Sequence, residues 1–433
     1  MNSYAAGKKI YELLCKLYPI CRSITGNGTR QTLAEIKAII PIETHEVPTG
    51  TKVFDWAIPK EWNIKDGYVK NSKGEKILDF QKSNLHVLNY SAPVHAKLSL
   101  KELQKHLYFL EEYPDWIPYV TSYYKENWGF ALPYRQYKTL PDDTYEVFID
   151  SELKDGNLSY GELYVPGAKK DEILLSTYIC HPSLANDNLS GIALAAFLAK
   201  HLMQEKRTYS YRFLFIPETI GAIAWLCRNE NKIKNIRHGL VITCVGDQGK
   251  FTYKKSRQGN AEIDKAAEKA LADLEKPYEI IDFFPSGSDE RQFCSPAFNL
   301  QVGSLMKTPY GRFPEYHTSA DDLAFVQPQY LEDTFNAYLQ TLFIIENNGR
   351  YLNLNPKCEP QLGKRGLYHM IGTQKENAPD EFALLWVLNL SDGNYSLLDI
   401  SVRSGLTFSQ IKNAADVLVS AGLLQKIENK PTS

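Results

Sequence analysis

A short polar loop between two apolar stretches carries His181 and Asp187. The stretch before the loop, residues 173–179, is almost continuously apolar, and the stretch after it, residues 192–203, has an apolar helical pattern. A strand, a polar loop and a helix in this order are typical of an open α/β sheet, which presents reactive side chains at the carboxyl ends of its strands. An imidazole and a carboxylate in such a loop are the ingredients of a metal site or an acid–base site.

Two further strand-like segments also end in a residue of a kind that catalysis uses. Glu218 follows the apolar segment at residues 212–216, and Asp247 follows the next such segment. If the strands are parallel, their carboxyl ends meet at one edge of the sheet, so both carboxylates converge there with His181. His317 also follows a strand-like run and precedes a helical pattern, and it can therefore reach the same edge.

Each of these residues also has a purely structural interpretation. His181 is followed by a proline and could close a turn, Asp187 could cap the next helix, and Asp247 precedes a Gln-Gly pair that is typical of a turn. Glu218 could stabilise the first turn of the helix that it precedes. A carboxylate beside a strand this apolar, however, costs free energy unless it is paired or bound to a metal.

Two neighbourhoods could add to such a site. His317 is surrounded by acceptors that could orient an imidazole, namely Glu315, Thr318, Asp321 and Asp322. Arg22 lies in the glycine-containing loop PICRSITGNGTR. It has two interpretations, since it could reach a pocket or could hold its own loop together.

The bulk composition is that of a globular chain with no bias towards nucleic acid or membranes. The 433 residues are enough for two or three domains, and the formal net charge of -2 gives no electrostatic argument for binding nucleic acid or an anionic membrane. The seven cysteines are scattered without a CxxC pair, which favours a reducing compartment. No stretch approaches the roughly 18 apolar residues of a membrane span and no signal-peptide core is present, so we predict a cytoplasmic protein.

The alternation of strand-like and helical segments predicts an α/β fold with a mostly parallel mixed sheet covered by helices. The predicted catalytic domain comprises residues 1–57 and 131–365, and residues 58–130 are predicted to form a small inserted α+β domain. Within the insertion, a capping box of Ser99 and Glu102 predicts a helix over residues 99–112.

The tail, residues 370–433, has the order of helices and strand that is typical of a winged helix-turn-helix domain. Its candidate recognition helix, residues 407–420, offers Lys412 alone against Asp416, whereas DNA-binding helices usually need a basic footprint. We therefore do not expect DNA binding. We interpret the tail as a packing or dimerisation module, which is compatible with a homo-oligomer.

Five sequence motifs together resemble those of the aminopeptidase-like proteins that occur with polysaccharide-biosynthesis genes in bacteria. In chain order they are PICRSITGNG, HPSLANDNLSG, PETIG, SGSDERQF and YHTSADD. With the winged helix, this resemblance covers nearly the whole chain. More distantly, the motifs resemble those of zinc aminopeptidases that hold a pair of metal ions, which implies a zinc aminopeptidase-like fold for the catalytic domain.

The resemblance implies roles for four residues. His181 is similar to the first metal-binding histidine of the zinc aminopeptidases, Asp187 to their metal-bridging aspartate, and His317 to their last metal ligand. Glu218 is similar to their general base. These four are the candidate metal-binding and catalytic residues.

Two positions depart from the two-metal pattern. Thr219 stands where that pattern has a second glutamate, and Thr243 lies nearest to its later aspartate ligand, with Asp247 displaced beyond it. The two histidines and the aspartate that remain are sufficient for one zinc ion with an open coordination position. We therefore expect one zinc ion rather than two.

The expected activity is hydrolysis of a peptide or related amide bond by an aminopeptidase-like exopeptidase, with a small peptide or amide as substrate. Zinc would lower the pKa of a water molecule, and Glu218 would act as the general base. Arg291 and Tyr316 are candidate substrate-binding residues, although Arg291 could equally form a structural ion pair.

Two alternatives to this function stay open. One is a catalytically silent ligand-sensing or interaction protein with a winged-helix module. The other is a cysteine hydrolase using Cys180 or Cys244, which lack the glycine-flanked turn of such nucleophiles.

Overall fold

The structure is a computed structural model that describes residues 4–367 and 381–427. The described residues form two compact units. The first comprises the chain up to Gly259 together with Glu279–Asn336, and the second comprises Asn260–Tyr278 together with the chain from Ala337 onwards. None of the described helices is long and apolar enough to cross a membrane, and the cytoplasmic location stays a prediction.

The described elements are named here in chain order. The helices are α1 (Tyr4–Leu17), α2 (Asn27–Lys37), α3 (Leu100–Leu103), α4 (Tyr134–Lys138), α5 (Gly191–Leu202), α6 (Ile220–Arg228), α7 (Glu230–Ile233), α8 (Glu262–Asp273), α9 (Glu290–Phe293), α10 (Pro328–Asn347), α11 (Glu381–Leu390), α12 (Leu397–Ser404) and α13 (Phe408–Ser420). The strands are β1 (Glu43–Pro48), β2 (Lys52–Val53), β3 (Trp56–Ala57), β4 (Glu61–Lys70), β5 (Lys76–Asp79), β6 (Val94–Ser99), β7 (Leu107–Tyr108), β8 (Phe130–Ala131), β9 (Thr144–Lys154), β10 (Asn157–Val165), β11 (Glu172–Tyr178), β12 (Ser210–Ile216), β13 (Ile236–Val241), β14 (Phe251–Lys254), β15 (Tyr278–Ile281), β16 (Val302–Met306), β17 (Arg350–Asn353), β18 (Asp392–Ser396) and β19 (Leu424–Ile427).

An eight-stranded sheet organises the first unit, in the order β1-β10-β12-β11-β13-β16-β14-β15. The four central strands, β12, β11, β13 and β16, run parallel, whereas β1, β10 and β14 pair antiparallel with their neighbours. Every residue of β11 and β12 is buried, which explains why their sequences are apolar without alternation. Helix α5 packs against β11 and β12, and α2 packs against β10. The predicted mixed sheet covered by helices is confirmed, and its parallel strands are the central four.

The direction of the central strands decides where the candidate residues lie. Because β11, β12 and β13 are parallel, the segments that follow them leave from the same edge of the sheet. These segments carry His181, Glu218 and Asp247 respectively. The loop after β16, the fourth parallel strand, leads to His317.

A four-stranded antiparallel sheet in the order β5-β4-β9-β6 also belongs to the first unit. Its strand β9 pairs with both β4 and β6 and lies outside the predicted insertion of residues 58–130. The sheet of the insertion therefore includes a strand from the returning chain. The domain boundaries at residues 58 and 130 stay a prediction.

The helix predicted over residues 99–112 is wrong in length. The capping box of Ser99 and Glu102 is present, but α3 ends at Leu103. Beyond it, the His106 ring stacks on Trp128 at 3.7 Å, and β7 pairs with β8. Strand pairing and ring stacking with distant residues thus override the local helical pattern.

The second unit contains the predicted winged-helix tail. Helix α13 packs against α11 and α12, and a three-stranded sheet in the order β18-β17-β19 completes the arrangement. Ser396 and Thr407 cap α12 and α13 with their side chains, as such helix starts require. Lys412 is paired with Asp416, so the one lysine of the candidate recognition helix is already neutralised. The winged helix is confirmed, and parts of the predicted range (residues 370–380 and 428–433) lie outside the described residues.

A partly buried ion pair ties α2 to the four-stranded sheet. The Arg30 guanidinium donates to Glu61 Oε2 at 3.0 Å, and the backbone N–H of Asn157 donates to the same oxygen at 2.9 Å. Burial alone would raise the pKa of Glu61, but these hydrogen bonds lower it to about 2. Glu61 is therefore more acidic in the folded chain than in the unfolded chain. The stabilisation is complete above about pH 5 and is lost as the pH falls towards 2.

We expect Glu61→Gln to lower the free energy of unfolding by about 1–3 kcal/mol at pH 7. The difference in the free energy of unfolding between wild type and variant should become smaller between pH 5 and pH 3, because the wild-type carboxylate is increasingly protonated in the unfolded chain over that range. Urea unfolding at several pH values measures both effects. The exposed Glu152→Gln is the matched control, with little effect at any pH. A difference for Glu61→Gln that does not change with pH would contradict this account.

Candidate metal centre

Three side chains from two loops meet beyond the carboxyl end of β11. His181 follows β11, Asp187 lies in the turn before α5, and His317 lies in the loop between β16 and α10. One ligand atom from each lies within 4.8 Å of the other two. The structure therefore brings the three predicted metal ligands together.

The three atoms fit a metal ion. Asp187 Oδ2 lies 2.9 Å from His317 Nε2, and Asp187 Oδ1 lies 3.5 Å from His181 Nδ1. Nevertheless Asp187 Oδ2, His317 Nε2 and His181 Nδ1 are buried atoms with no hydrogen bond of normal geometry to any described residue. Buried polar atoms almost always have a partner, and one shared cation would satisfy all three. Two imidazoles and one carboxylate are a ligand set that zinc takes, with one coordination position left open.

The charge of Asp187 is stabilised from both sides. Burial alone would raise its pKa, but the His181 and His317 imidazoles outweigh burial and hold the pKa of Asp187 well below its usual range. Asp187 is fully buried, whereas the His317 side chain is 34% exposed. The His317 ring is therefore the part of the group nearest to solvent, although its Nε2 atom is buried.

Buried hydrogen bonds fix the Asp187 carboxylate and its loop. The Tyr178 hydroxyl donates to Asp187 Oδ1 and lies 2.6 Å from Thr243 Oγ1. The backbone N–H groups of Asn186 and Asp187 donate to the Asp321 carboxylate at 2.6 and 2.9 Å. Since all five residues are buried, the carboxylate is held in one orientation before any ligand binds.

Asp321 does not have the role that its position beside His317 predicts. We predicted an acceptor that orients the imidazole, but its carboxylate is occupied by the backbone of the Asp187 loop. The prediction is wrong because a buried carboxylate bonds the donors that the fold places next to it, however far away they are in sequence. His317 is held by rings instead, since Tyr316 stacks on it with centroids 3.9 Å apart.

Tyr119 connects the two imidazoles, and sequence reasoning did not single it out. Its ring centroid lies 5.2 Å from those of both His181 and His317. Its backbone N–H donates to the His317 carbonyl at 2.7 Å, and its hydroxyl lies 2.9 Å from the Tyr123 hydroxyl. The aromatic and proline-rich stretch around it has no periodicity, so the sequence offered no signal for this contact.

Glu218 lies beside the three grouped residues and is not one of them. Its Oε2 is 3.6 Å from His181 Nε2, and its backbone N–H donates to Cys180 Sγ at 3.3 Å. Burial, followed by the negative charges of Asp289 and Asp187, raises the pKa of Glu218 well above its usual range. A carboxyl group with a raised pKa can take up and release a proton near neutral pH.

The residue after Glu218 is held by two polar contacts. Thr219 has a φ of 63°, which is unusual for a β-branched residue. Its backbone N–H donates to Asp289 Oδ1 at 2.7 Å, and its hydroxyl accepts from Arg291 Nη2 at 2.7 Å. Burial raises the pKa of Asp289 to about 7. Arg291 therefore reaches this neighbourhood through Thr219, and its role towards a substrate stays a prediction, as does that of Tyr316.

Arg22 stabilises the backbone of His181. Its side chain is fully buried, with Nε donating to the His181 carbonyl at 2.8 Å and Nη1 donating to the Leu17 carbonyl at 2.7 Å. Burial lowers the pKa of Arg22 to about 10. Of the two interpretations of Arg22, the structural one holds, since it ties its loop to the backbone of His181.

Asp247 lies apart from the three grouped residues and is saturated with hydrogen bonds. It accepts from the Thr308 hydroxyl at 2.6 Å, the Thr308 N–H at 3.1 Å, the Gly249 N–H at 2.7 Å and the Asn186 side chain at 3.0 Å. A carboxylate with four donors has a structural role. These hydrogen bonds give Asp247 a structural role, which agrees with its displaced position relative to the two-metal pattern.

Neither candidate cysteine is an activated nucleophile. Cys180 and Cys244 are both buried, and burial raises the pKa of each thiol well above its usual range. A nucleophilic cysteine needs the opposite shift, towards the thiolate. The structure therefore does not favour a cysteine hydrolase.

A mixed sheet whose central strands are parallel, with two histidines and an aspartate grouped beyond them, together with a winged helix, defines an aminopeptidase-like α/β protein. Residues 11–348 match a family described as a domain of unknown function (DUF4910), and residues 349–426 match a winged helix-turn-helix family. A protein from Clostridium acetobutylicum, provisionally named polysaccharide biosynthesis protein with aminopeptidase-like domain, is 58% identical over 426 residues, which are 98% of each chain. The chain belongs to this family of aminopeptidase-like proteins.

Solved structures agree with that assignment. A crystal structure of a protein provisionally called a peptidase, from Clostridium acetobutylicum, has a TM-score of 0.94 at 57% identity and covers 98% of both chains. A zinc aminopeptidase from Bacillus subtilis has a TM-score of 0.56 at 11% identity over 78% of this chain and 94% of its own. A peptidase M28 precursor from Shewanella amazonensis has a TM-score of 0.57 at 13% identity, over 80% and 96%. The last two likenesses show the fold alone, which is the predicted zinc aminopeptidase-like fold.

Proposed function

We propose that this protein is a zinc-dependent hydrolase of peptide or related amide bonds, working as an aminopeptidase-like exopeptidase on small peptides or amides. The observation that carries the proposal is the group of three buried atoms on His181, Asp187 and His317 that lack a hydrogen bond of normal geometry, with the Glu218 carboxyl beside it. The provisional names of the relatives, a peptidase and a protein with an aminopeptidase-like domain, support hydrolysis.

One zinc ion fits these residues better than two. In the two-metal pattern the aspartate bridges both ions, but here Asp187 Oδ1 accepts the Tyr178 hydroxyl, which leaves Oδ2 as the free ligand atom. The hydroxyl of Thr219, at the position of the second glutamate, is bonded to the Arg291 guanidinium. A fixed positive charge there disfavours a second cation.

The chain's own residues would divide the work of amide hydrolysis. A zinc ion supplies Lewis acidity, which polarises a carbonyl and acidifies water. Glu218 takes the proton from the attacking water and returns it to the leaving amine. Burial and the nearby negative charges of Asp289 and Asp187 raise the pKa of Glu218, which favours the protonated form that the second step uses. Asp187 and His181 are buried and exclude solvent on their side, while the exposed side of His317 admits the substrate.

Arg291 and Tyr316 belong to the substrate side of this proposal. Tyr316 stacks on His317, and Arg291 reaches the residue that follows Glu218. The winged helix adds no DNA-binding proposal, because Lys412 is paired with Asp416. We assign it a packing or dimerisation role, and a homo-oligomer stays a prediction.

Hydrolysis of aminoacyl-p-nitroanilides by the purified protein tests the proposal. Rates are measured before metal removal with a chelator, after it, and after zinc is added back. We expect the chelator to reduce hydrolysis to background and zinc to restore it, with N-acetylated anilides resistant because an exopeptidase needs the free terminus. Hydrolysis that persists without metal would contradict the proposal. So would inactivity of the zinc-loaded protein towards every amide tested, an N-acetylated sugar included.

A further inference from the structure

A groove opens directly beside His317. It encloses about 450 Å³ and is lined by residues 107–110, residues 118–120, Tyr316 and His317. This volume lies within the range of small-molecule binding sites. Most of the lining comes from the segment that sequence analysis assigned to the insertion.

The walls of the groove are held in place by the fold. Residues 117–119 pair with residues 317–319 through backbone hydrogen bonds of 2.7 and 2.8 Å. Strand β7, which supplies the first two lining residues, pairs with β8. On the opposite side Tyr316 stacks on His317 at 3.9 Å. The groove is therefore formed before any ligand arrives, as specific sites usually are.

The groove is continuous with the candidate metal centre. His317 lines the groove and is also one of the three grouped residues. Tyr119, in the groove wall, has its ring 5.2 Å from both imidazoles. If the carbonyl of a substrate amide lies next to His317, the substrate residue beside that amide thus extends into the groove.

The residues that line the groove disfavour charged and hydroxyl-rich substrate groups. Residues 107–110 are Leu-Tyr-Phe-Leu and residues 118–120 are Pro-Tyr-Val, so these walls carry no formal charge. Two phenols already have partners: the Tyr108 hydroxyl accepts from Asn127 at 3.2 Å, and the Tyr119 hydroxyl lies 2.9 Å from that of Tyr123. A charged or hydroxyl-rich group would lose most of its hydrogen bonds to water here, because the walls offer few polar atoms to replace them. An apolar group would instead be stabilised by leaving water.

We propose that this groove binds a bulky apolar side chain of the substrate residue next to the cleaved amide. The substrates are then peptides or amides with an aromatic or large aliphatic residue at that position, rather than charged peptides or hydroxyl-rich N-acyl sugars. This assignment rests on the proposed amide hydrolysis. Leu110, which is 36% exposed at the groove, is the position where a charge can be introduced without disturbing the buried core.

The kcat/KM values of the zinc-loaded protein for phenylalanyl-, leucyl-, glycyl-, lysyl- and glutamyl-p-nitroanilide test the groove. We expect the phenylalanyl and leucyl substrates to exceed the glycyl substrate by about 10- to 100-fold. Leu110→Glu should shift the preference from phenylalanyl towards lysyl, and Leu110→Lys should shift it towards glutamyl. Leu354→Glu, an equally drastic change at an exposed leucine of the second unit, is the matched control and should leave the order unchanged.

A second measurement separates failure of the groove from failure of the proposed function. Saturation-transfer NMR with phenylalaninamide and glycinamide on the metal-free protein needs neither zinc nor turnover. We expect saturation of the phenyl protons with wild type and Leu354→Glu, and clear weakening with Leu110→Glu. If zinc-dependent hydrolysis is absent but this pattern is found, only the proposed function fails. Equal kcat/KM for phenylalanyl and glycyl substrates, or no phenyl saturation in wild type, would overturn the groove assignment.

Discussion

Replacing Glu218 with glutamine is expected to lower kcat for amide hydrolysis by about 100- to 10,000-fold, the usual contribution of a general base. Glutamine is similar in size but cannot take up the proton. Because Glu218 lies outside the group of His181, Asp187 and His317, the variant should bind zinc as the wild type does, and KM should change little. Steady-state kinetics and the zinc content of the same preparation measure both effects.

The matched control is Glu126→Gln at an exposed position, which should leave kcat unchanged. Two outcomes at Glu218 would contradict the assigned role. A variant that keeps wild-type kcat would mean that another group transfers the proton. A variant that loses zinc together with activity would make Glu218 a metal ligand and not the base.

Removing either imidazole of the candidate metal centre is expected to have the largest effect on zinc binding. His181→Ala or His317→Ala leaves one imidazole and one carboxylate, fewer ligands than a stable zinc site uses. Loss of a group that merely orients a ligand already weakens metal affinity about 10- to 100-fold, so loss of a ligand should exceed 100-fold. Competition with a chromophoric chelator measures the affinity, and hydrolysis should fall to background.

Two other variants calibrate this result. His95→Ala, at an exposed histidine outside the site, should bind zinc as tightly as wild type. Tyr178→Phe removes the hydroxyl that donates to Asp187 and should weaken zinc binding by about 10- to 100-fold. Wild-type affinity in His317→Ala would show that the three residues do not share an ion.

The candidate site could be located in the sequence because parallel buried strands have a recognisable apolar pattern and end at the same edge of the sheet. His181 and Glu218 each follow an apolar strand of the kind that is buried on both faces, and such strands deliver their ends to one edge. Asp187 shares the loop of His181, and His317 was expected at the same edge from the strand-like run before it, while motif resemblance supplied their roles as ligands. The structure places both beside His181. The apolar pattern of the strands therefore predicted which residues lie at the strand ends.

The residues that hold the site could not be found in this way. Asp321 bonds the backbone of Asp187 across 134 residues of sequence, and Tyr178 looks like any apolar strand residue. Tyr119 reaches both imidazoles from a stretch without periodicity. Such contacts depend on tertiary packing, which leaves no spacing signal in the chain.

The same limit explains the wrong length of the helix predicted in the insertion. The Ser99 capping box correctly marks the start of α3, but from Leu107 onwards the chain pairs with β8, which the local sequence does not encode. Strand β9 joins the four-stranded sheet from beyond the predicted boundary, because strand partners are chosen by the fold and not by proximity in sequence.

The zinc content of the wild-type protein, purified without added metal and analysed by inductively coupled plasma mass spectrometry, tests the central claim most directly. We expect one zinc ion per chain, with anomalous scattering from a crystal locating it between His181, Asp187 and His317. A protein that binds no zinc even when zinc is supplied would contradict the claim. So would a protein that holds two ions, or one ion at a different place.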